Sequence, residues 1–136
     1  MRGQTLLVEH YMTPSPHSIG EDQTLLTAHK IMRQHHVRHL PVLRAGKLVG
    51  LVTQRDLALI ETLEDVDQEK VIVEDAMSTD VFTVEPTAPL ETVVLTMAEH
   101  KYGCAVVMDH ATVIGIFTTV DACRALAVQL RRRATA

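Results

Sequence analysis

Apolar residues recur along this chain in two rhythms. Leu25, Ala28, Met32 and His36 fall at spacings of three and four, which predicts one face of a helix, with Asp22 as its candidate N-cap. Two short apolar runs follow, Val37 to Leu43 and Leu48 to Val52, each the length of a strand. Arg44-Ala45-Gly46-Lys47 between them suits a hairpin turn, because Gly46 can take positive φ. Pro41 removes a ladder donor from the first run and so predicts an edge strand or a strand end. A second helix is expected from Gln54 to about Leu63. Upstream, the reading is a lead-in that starts a short helix through Tyr11, with Val8 to Met12 as one helical turn. Thr13-Pro14-Ser15-Pro16 breaks it, and His17-Ser18-Ile19 is a short extended piece. The unit reads β-α-β-β-α.

The same plan then returns. Gly50, Thr53 and Asp56 reappear as Gly115, Thr118 and Asp121, all 65 positions later. At that offset Val8-Glu9 meets Val73-Glu74, Met12 meets Met77, Leu25 meets Leu90, Met32 meets Met97, His35 meets His100 and Val42 meets Val107. Register held without a gap marks an internal duplication of one folding unit. Leu90, Val93, Val94 and Met97 give the second helix face, and Ala105 to Met108 and Val113 to Phe117 the second strand pair. The last helix is expected from Thr119 to Arg133. The repeats run 8–63 and 73–130, joined by an acidic linker at 64–72. A unit near 60 residues buries only about 60% of its unfolded surface and is marginal alone. The two are therefore expected to pack as one pseudo-symmetric α/β (α+β) module.

Each repeat closes on Gly, two apolar residues, Thr, two variable residues and Asp: Gly50-Leu51-Val52-Thr53-Gln54-Arg55-Asp56 and Gly115-Ile116-Phe117-Thr118-Thr119-Val120-Asp121. This predicts a strand that ends at Thr and turns into a helix. Thr-x-x-Asp is a capping box, which needs no ligand. Backbone N–H groups at a helix start also attract anions, and a carboxylate can accept two hydrogen bonds from a vicinal diol. Two copies at matching places favour the second use, for a phosphorylated ribose.

Composition narrows the function classes. A hydrophobic content of 46% supports a core, and an aromatic content of 3% makes it aliphatic. The net charge of −4 argues against a nucleic-acid footprint, so Arg131-Arg132-Arg133 reads as a helix-end tail complementing the dipole. No apolar run approaches the ~18 residues of a membrane span, and no signal-peptide pattern opens the chain. Cys104 and Cys123 are too few for a disulfide framework, which suits a reduced, cytoplasmic protein.

The duplicated plan resembles a tandem pair of CBS domains, a Bateman module. Met12-Thr13 and Met77-Ser78 opening the repeats, Arg38-His39-Leu40-Pro41-Val42, and the two Gly-φ-φ-Thr-x-x-Asp closures carry the resemblance. It implies binding of an adenosine nucleotide (AMP, ADP or ATP) as a regulatory ligand, or of S-adenosylmethionine, in clefts between the units. By the same resemblance Asp56 and Asp121 would hold ribose hydroxyls, and Thr53 and Thr118 would reach phosphate. Ser18, Ile19, Thr83 and Val84, with His39-Leu40-Pro41 and Cys104-Ala105-Val106, would line the base. It further implies a homodimer. Members often carry an attached effector domain, so the output here is expected to act on a separate target protein.

The repeats differ where chemistry is expected. Arg55 beside Asp56 is expected to be a phosphate partner, and Val120 replaces it in repeat two. The Thr53/Asp56 site is therefore expected to prefer more phosphate. His35, His36 and His39 could approach one another, yet no metal-ligand pattern appears, so no metal is expected. Nor is there a Walker A, a G-x-G-x-x-G or a nucleophile with its base, so no catalytic residue, obligatory cofactor or enzyme activity is expected. The rival reading is a ligand-independent dimerisation or scaffold module whose Thr-x-x-Asp turns are only caps.

Overall fold

A computed structural model describes residues 5–135. The strands are β1 (Thr13–Pro14), β2 (Ile19–Gly20), β3 (His39–Arg44), β4 (Lys47–Thr53), β5 (Thr83–Val84), β6 (Cys104–Asp109) and β7 (Thr112–Thr118). The helices are α1 (Leu25–His35), α2 (Gln54–Ile60), α3 (Leu90–His100) and α4 (Thr119–Thr135). Each repeat thus runs β-α-β-β-α, as its apolar rhythm predicts. Residues 1–4 of the lead-in lie outside the described residues. Leu7 is extended, bridged to Pro89, and the helical turn is a single 3-10 turn at Val8–His10.

The chain forms two compact units whose boundaries are not those of the repeats. One unit holds residues 16–81; the other holds 82–135 together with 5–15. The opening segment of each repeat therefore belongs to the unit built from the other repeat. In the first unit, order β2-β3-β4, Leu51 and Ser78 bridge on the far side of β4. Val73 is fully buried among Leu25, Ala28, Leu40 and Leu57. In the second unit, order β1-β7-β6-β5, Thr13 pairs with Ile116. Val8 is fully buried among Leu90, Val93, Ala105 and Phe117.

This exchange explains the glycines of the closing motif. An added Cβ at Gly50 would stand 2.6 Å from Met77 Sδ and 2.9 Å from the Ser78 carbonyl oxygen. At Gly115 the three nearest atoms would all belong to the Met12 side chain. A methionine can swing aside, whereas a paired backbone carbonyl cannot. Gly50→Ala is therefore expected to lower stability by about 1–3 kcal/mol, the usual cost of overpacking. Gly115→Ala should cost less. Chemical denaturation of both variants checks the order, and Met12→Ala should relieve Gly115→Ala while Met77→Ala leaves most of the Gly50→Ala cost.

Several local expectations are corrected. Thr24, not Asp22, caps α1: its Oγ1 accepts the Thr27 N–H at 3.2 Å. His36 is not on the apolar face; it ends α1 in the left-handed region at φ 54°, as Lys101 ends α3 at φ 59°. Pro41 lies in the central strand β3 rather than at an edge. It is tolerated because its ring nitrogen points away from β4, towards β2, and β2 pairs only with Val42 and Leu43. The matching Val106 donates its N–H to the Phe82 carbonyl on that side. The hairpin after β3 turns through Ala45 and Gly46, both at positive φ, the signature of a type I′ turn. Helix α2 stops at Ile60, short of Leu63, and α4 runs to Thr135.

Candidate functional site

In the unit of residues 16–81, β3 starts at His39, whose Cα partner on β4 is Thr53. Thr53 ends β4 and caps α2. Its Oγ1 accepts the Asp56 N–H at 3.0 Å, and its own N–H donates to Asp56 Oδ2 at 2.9 Å. The capping box is complete, and it fixes the carboxylate while Asp56 stays half-buried. Among the described residues no hydrogen bond or ion pair engages Asp56 Oδ1. Arg55 is exposed beside it and likewise free of a carboxylate partner. Ile19 pairs with Val42 in parallel register, which sets Ser18 beside Pro41. Ser18 is exposed; Ile19, Leu40 and Pro41 are buried, so these three can offer a ligand little but backbone groups.

The second unit keeps the frame and changes the chemistry. Cys104 faces Thr118 across β6 and β7, and Thr83 and Val84 pair with Val106 and Val107. Thr83 is exposed, Val84 half-buried, and Cys104, Ala105 and Val106 buried. Asp121 is only 4% exposed, and both its oxygens are engaged. Oδ2 accepts the Thr118 N–H at 2.9 Å and its hydroxyl at 3.2 Å. Oδ1 accepts the Thr13 hydroxyl at 3.1 Å and faces Arg124 at 3.6 Å. Sequence reasoning missed Thr13 and Arg124. Thr13 stands in the repeat-opening motif, but nothing in a one-dimensional pattern links positions 108 apart. Arg124 was visible only as the residue one turn after Asp121.

The residues opposite the two threonines also differ in protonation. Burial pushes the His39 imidazole below its ordinary pKa of 6.5, the Arg38 guanidinium adds to this, and Asp56 opposes it. Burial pushes the Cys104 thiol up to about 12, which keeps it protonated at neutral pH.

A cavity of about 480 Å³ lies on α3 and α4 against Leu6, Leu90, Val94 and Leu126. It contains none of the motif residues. A cavity of about 330 Å³ adjoins Thr53 through Gln54. Among the described residues no group of three or more His, Cys, Asp or Glu side chains is placed to hold a metal. His35 instead stacks on His17, centroids 3.6 Å apart. Among the same residues no helix is long and apolar enough to cross a membrane.

Comparison with known proteins agrees with this geometry. A family model described as the CBS domain matches residues 8–60 and again 73–128. The CBS domain-containing protein YhcV of Bacillus subtilis is 32% identical over 114 residues, covering 84% of this chain and 81% of YhcV. The CBS domain pair of protein MJ0100, solved in complex with 5-methylthioadenosine and S-adenosyl-L-methionine, superposes with a TM-score of 0.80 at 27% identity. It covers 93% of this chain and 99% of that one. CBSX2, solved in complex with AMP, gives a TM-score of 0.81 at 26% identity over 95% of this chain and 99% of its own. Other curated relatives bear enzyme names, and the chain spans only 23–24% of their length.

Proposed function

The chain belongs to the CBS domain family, and from that premise we propose that it is a regulatory module that binds an adenosine nucleotide and acts on a separate partner protein. The observation that carries this reading is the Asp56 carboxylate. It is oriented through one oxygen by Thr53, has the other oxygen free to accept from a ribose diol, and has Arg55 next to it for phosphate. The MJ0100 and CBSX2 complexes, both with adenosine compounds, support the ligand class. AMP, ADP and ATP are the ligands proposed first, with S-adenosylmethionine the alternative. The Thr53/Asp56 site takes ligand before the Thr118/Asp121 site, because a ribose at Asp121 must displace Thr13 or Arg124.

The mechanism is a population shift, limited by the ligand's differential affinity for two arrangements of the chain or of its oligomer. Binding and release suffice for it, with no catalytic step and no obligatory cofactor. Exposed leucines at Leu95, Leu126 and Leu130 support association into a homodimer, and the reduced thiols suit a cytoplasmic setting.

Thermal melting with AMP, ADP, ATP, NAD and S-adenosylmethionine tests the reading. A ligand at 100 times its Kd should add about 2.7 kcal/mol, and Asp56→Ala should abolish the shift relative to that variant's own ligand-free baseline. No shift with any of the five would leave the scaffold reading in its place.

A further inference from the structure

We propose that the cleft between α3 and α4 seats the end of α2 from a second copy of this chain, with the acidic segment that follows that α2 laid on the arginines at the end of α4. This deepens the homodimer reading and rests on it, independently of the nucleotide; it assigns the two faces that meet.

The cleft, about 480 Å³, is walled by Leu90 and Val94 of α3 and by Ala122, Ala125 and Leu126 of α4. The duplication shows how it arises. At the offset of 65, Ala122 and Ala125 stand where the first repeat has Leu57 and Ile60, and Val94 and Leu126 where it has His29 and Glu61. In the first repeat Leu57 is fully buried, Ile60 packs against the core, and His29 Nε2 meets Glu61 Oε2 at 2.6 Å. Larger side chains and a bonded pair close in one repeat the groove that smaller, apolar ones leave open in the other. An unfilled apolar groove forfeits contacts along its lining, and an occupant restores them.

The arginines stand next to it. Helix α2 ends at Ile60, whereas α4 continues past the matching Ala125 to Thr135. The added turns carry Leu126 and Leu130, both exposed, and Arg131, Arg132 and Arg133. Arg132 and Arg133 come three and four positions after Gln129, itself part of the cleft lining, so they lie one turn beyond it on the same face. Among the described residues none of these three arginines pairs with a carboxylate. Exposed leucines beside unpaired cations suit an apolar segment with an acidic flank.

The chain carries that segment. Leu59, in the last turn of α2, and Leu63, just beyond it, are exposed. Glu64, Asp65, Asp67 and Glu69 follow, all exposed and none ion-paired among the described residues, with Lys70 the one cation from 61 to 72. The two faces match in order, apolar first and then charge, with opposite sign. Glu91 is the charged residue of the cleft lining, so the leucines enter the cleft and the acids go to the arginines beyond it. Because the faces are unlike, two copies lying antiparallel make the contact twice. A like-for-like pairing sets arginine against arginine, which repulsion disfavours.

Sedimentation equilibrium of the full chain should show a dimer that weakens as salt is added. Arg132→Glu/Arg133→Glu should weaken it at least about tenfold, because like charges then face each other. Glu64→Arg/Glu69→Arg should do the same; Asp65, at φ 64°, and Asp67, which accepts the Glu69 N–H at 2.9 Å, stay in place to keep the turn. Mixed one to one, the two charge variants should recover a dimer close to the wild type, since each reversed face then meets its reversed counterpart. Leu59→Ala/Leu63→Ala should weaken association while keeping its salt dependence. A monomeric wild type overturns this proposal together with the homodimer reading. A wild-type dimer that any of these variants leaves intact, or that mixing fails to restore, overturns this proposal alone. Melting shifts of the monomeric variants with adenosine ligands report on the nucleotide reading separately.

Discussion

Val8→Asp is expected to destabilise the unit that holds residues 82–135, far along the chain, more than the unit of residues 16–81. Val8 is fully buried among Leu90, Val93, Ala105 and Phe117. A carboxylate there has no partner and no water, so the cost should be about 4 kcal/mol or more, in the range reserved for buried unpaired charge. Backbone bonds carry the same connection: the Val8 N–H donates to Ala88 O at 2.9 Å, and the Leu90 N–H to Leu6 O at 2.7 Å. Native-state hydrogen exchange should show protection lost first in α3, β6 and β7, with α1, β3 and β4 retaining more. Val73→Asp should give the reverse pattern, because Val73 is buried with Leu25 and Leu40. Equal loss in both sheets for either variant, or a loss centred on β3 and β4 for Val8→Asp, would refute the exchanged arrangement.

The exchange is also where sequence and structure part. Periodicity showed that Leu25, Ala28 and Met32 would be buried, because neighbours on one helix face share a fate, and the structure buries all three. The same holds for the duplication, and for the two Thr-x-x-Asp turns, whose capping depends on residues three apart. A hydrophobic Val8 says that it will be buried but not against what. The partner is set by which sheet edge is open, and that depends on pairings far along the chain. Pro41 failed as an edge signal for a related reason. The rule assumes that a central strand is paired along its whole length, and β2 covers only two residues of β3. His36 was misplaced because spacing alone cannot distinguish the last position on an apolar face from the residue that ends the helix. The left-handed cap at φ 54° resolves it. At the candidate site, the Thr53–Asp56 capping box could be read because its residues lie three apart, whereas the Thr13 contact to Asp121 could not be read, because it depends on the exchange.

Asp121→Ala is expected to lower stability by about 2–3 kcal/mol, and Asp56→Ala by about 1 kcal/mol or less, although the two motifs match position for position. Each substitution removes one half of a capping box, worth about 1 kcal/mol. At Asp56 nothing further is lost, since among the described residues its half-buried carboxylate has only the Thr53 N–H to satisfy. At Asp121 the buried carboxylate also accepts from the Thr118 and Thr13 hydroxyls and faces Arg124. Removing it strands those groups, and a buried donor without a partner costs more than a hydrogen bond contributes. Thr13 is exposed enough for water to restore part of the loss, which keeps the figure below the sum. Thr13→Val should reproduce a fraction of the Asp121→Ala cost and have no counterpart at Ser78, for which no side-chain bond to Asp56 exists among the described residues. Urea titrations of the three variants give the comparison, and equal costs at the two aspartates would show that Asp121 is held no more firmly than Asp56. Under the proposed function the same bonds imply an order of binding. A carboxylate already satisfied by its own fold must exchange those partners to hold a ribose, while Asp56 has an oxygen free to accept one. Thr13→Val should therefore strengthen nucleotide binding at the Thr118/Asp121 site even as it weakens the fold. One substitution moving stability and affinity in opposite directions is the behaviour expected of a site whose structural and ligand bonds compete for the same atom.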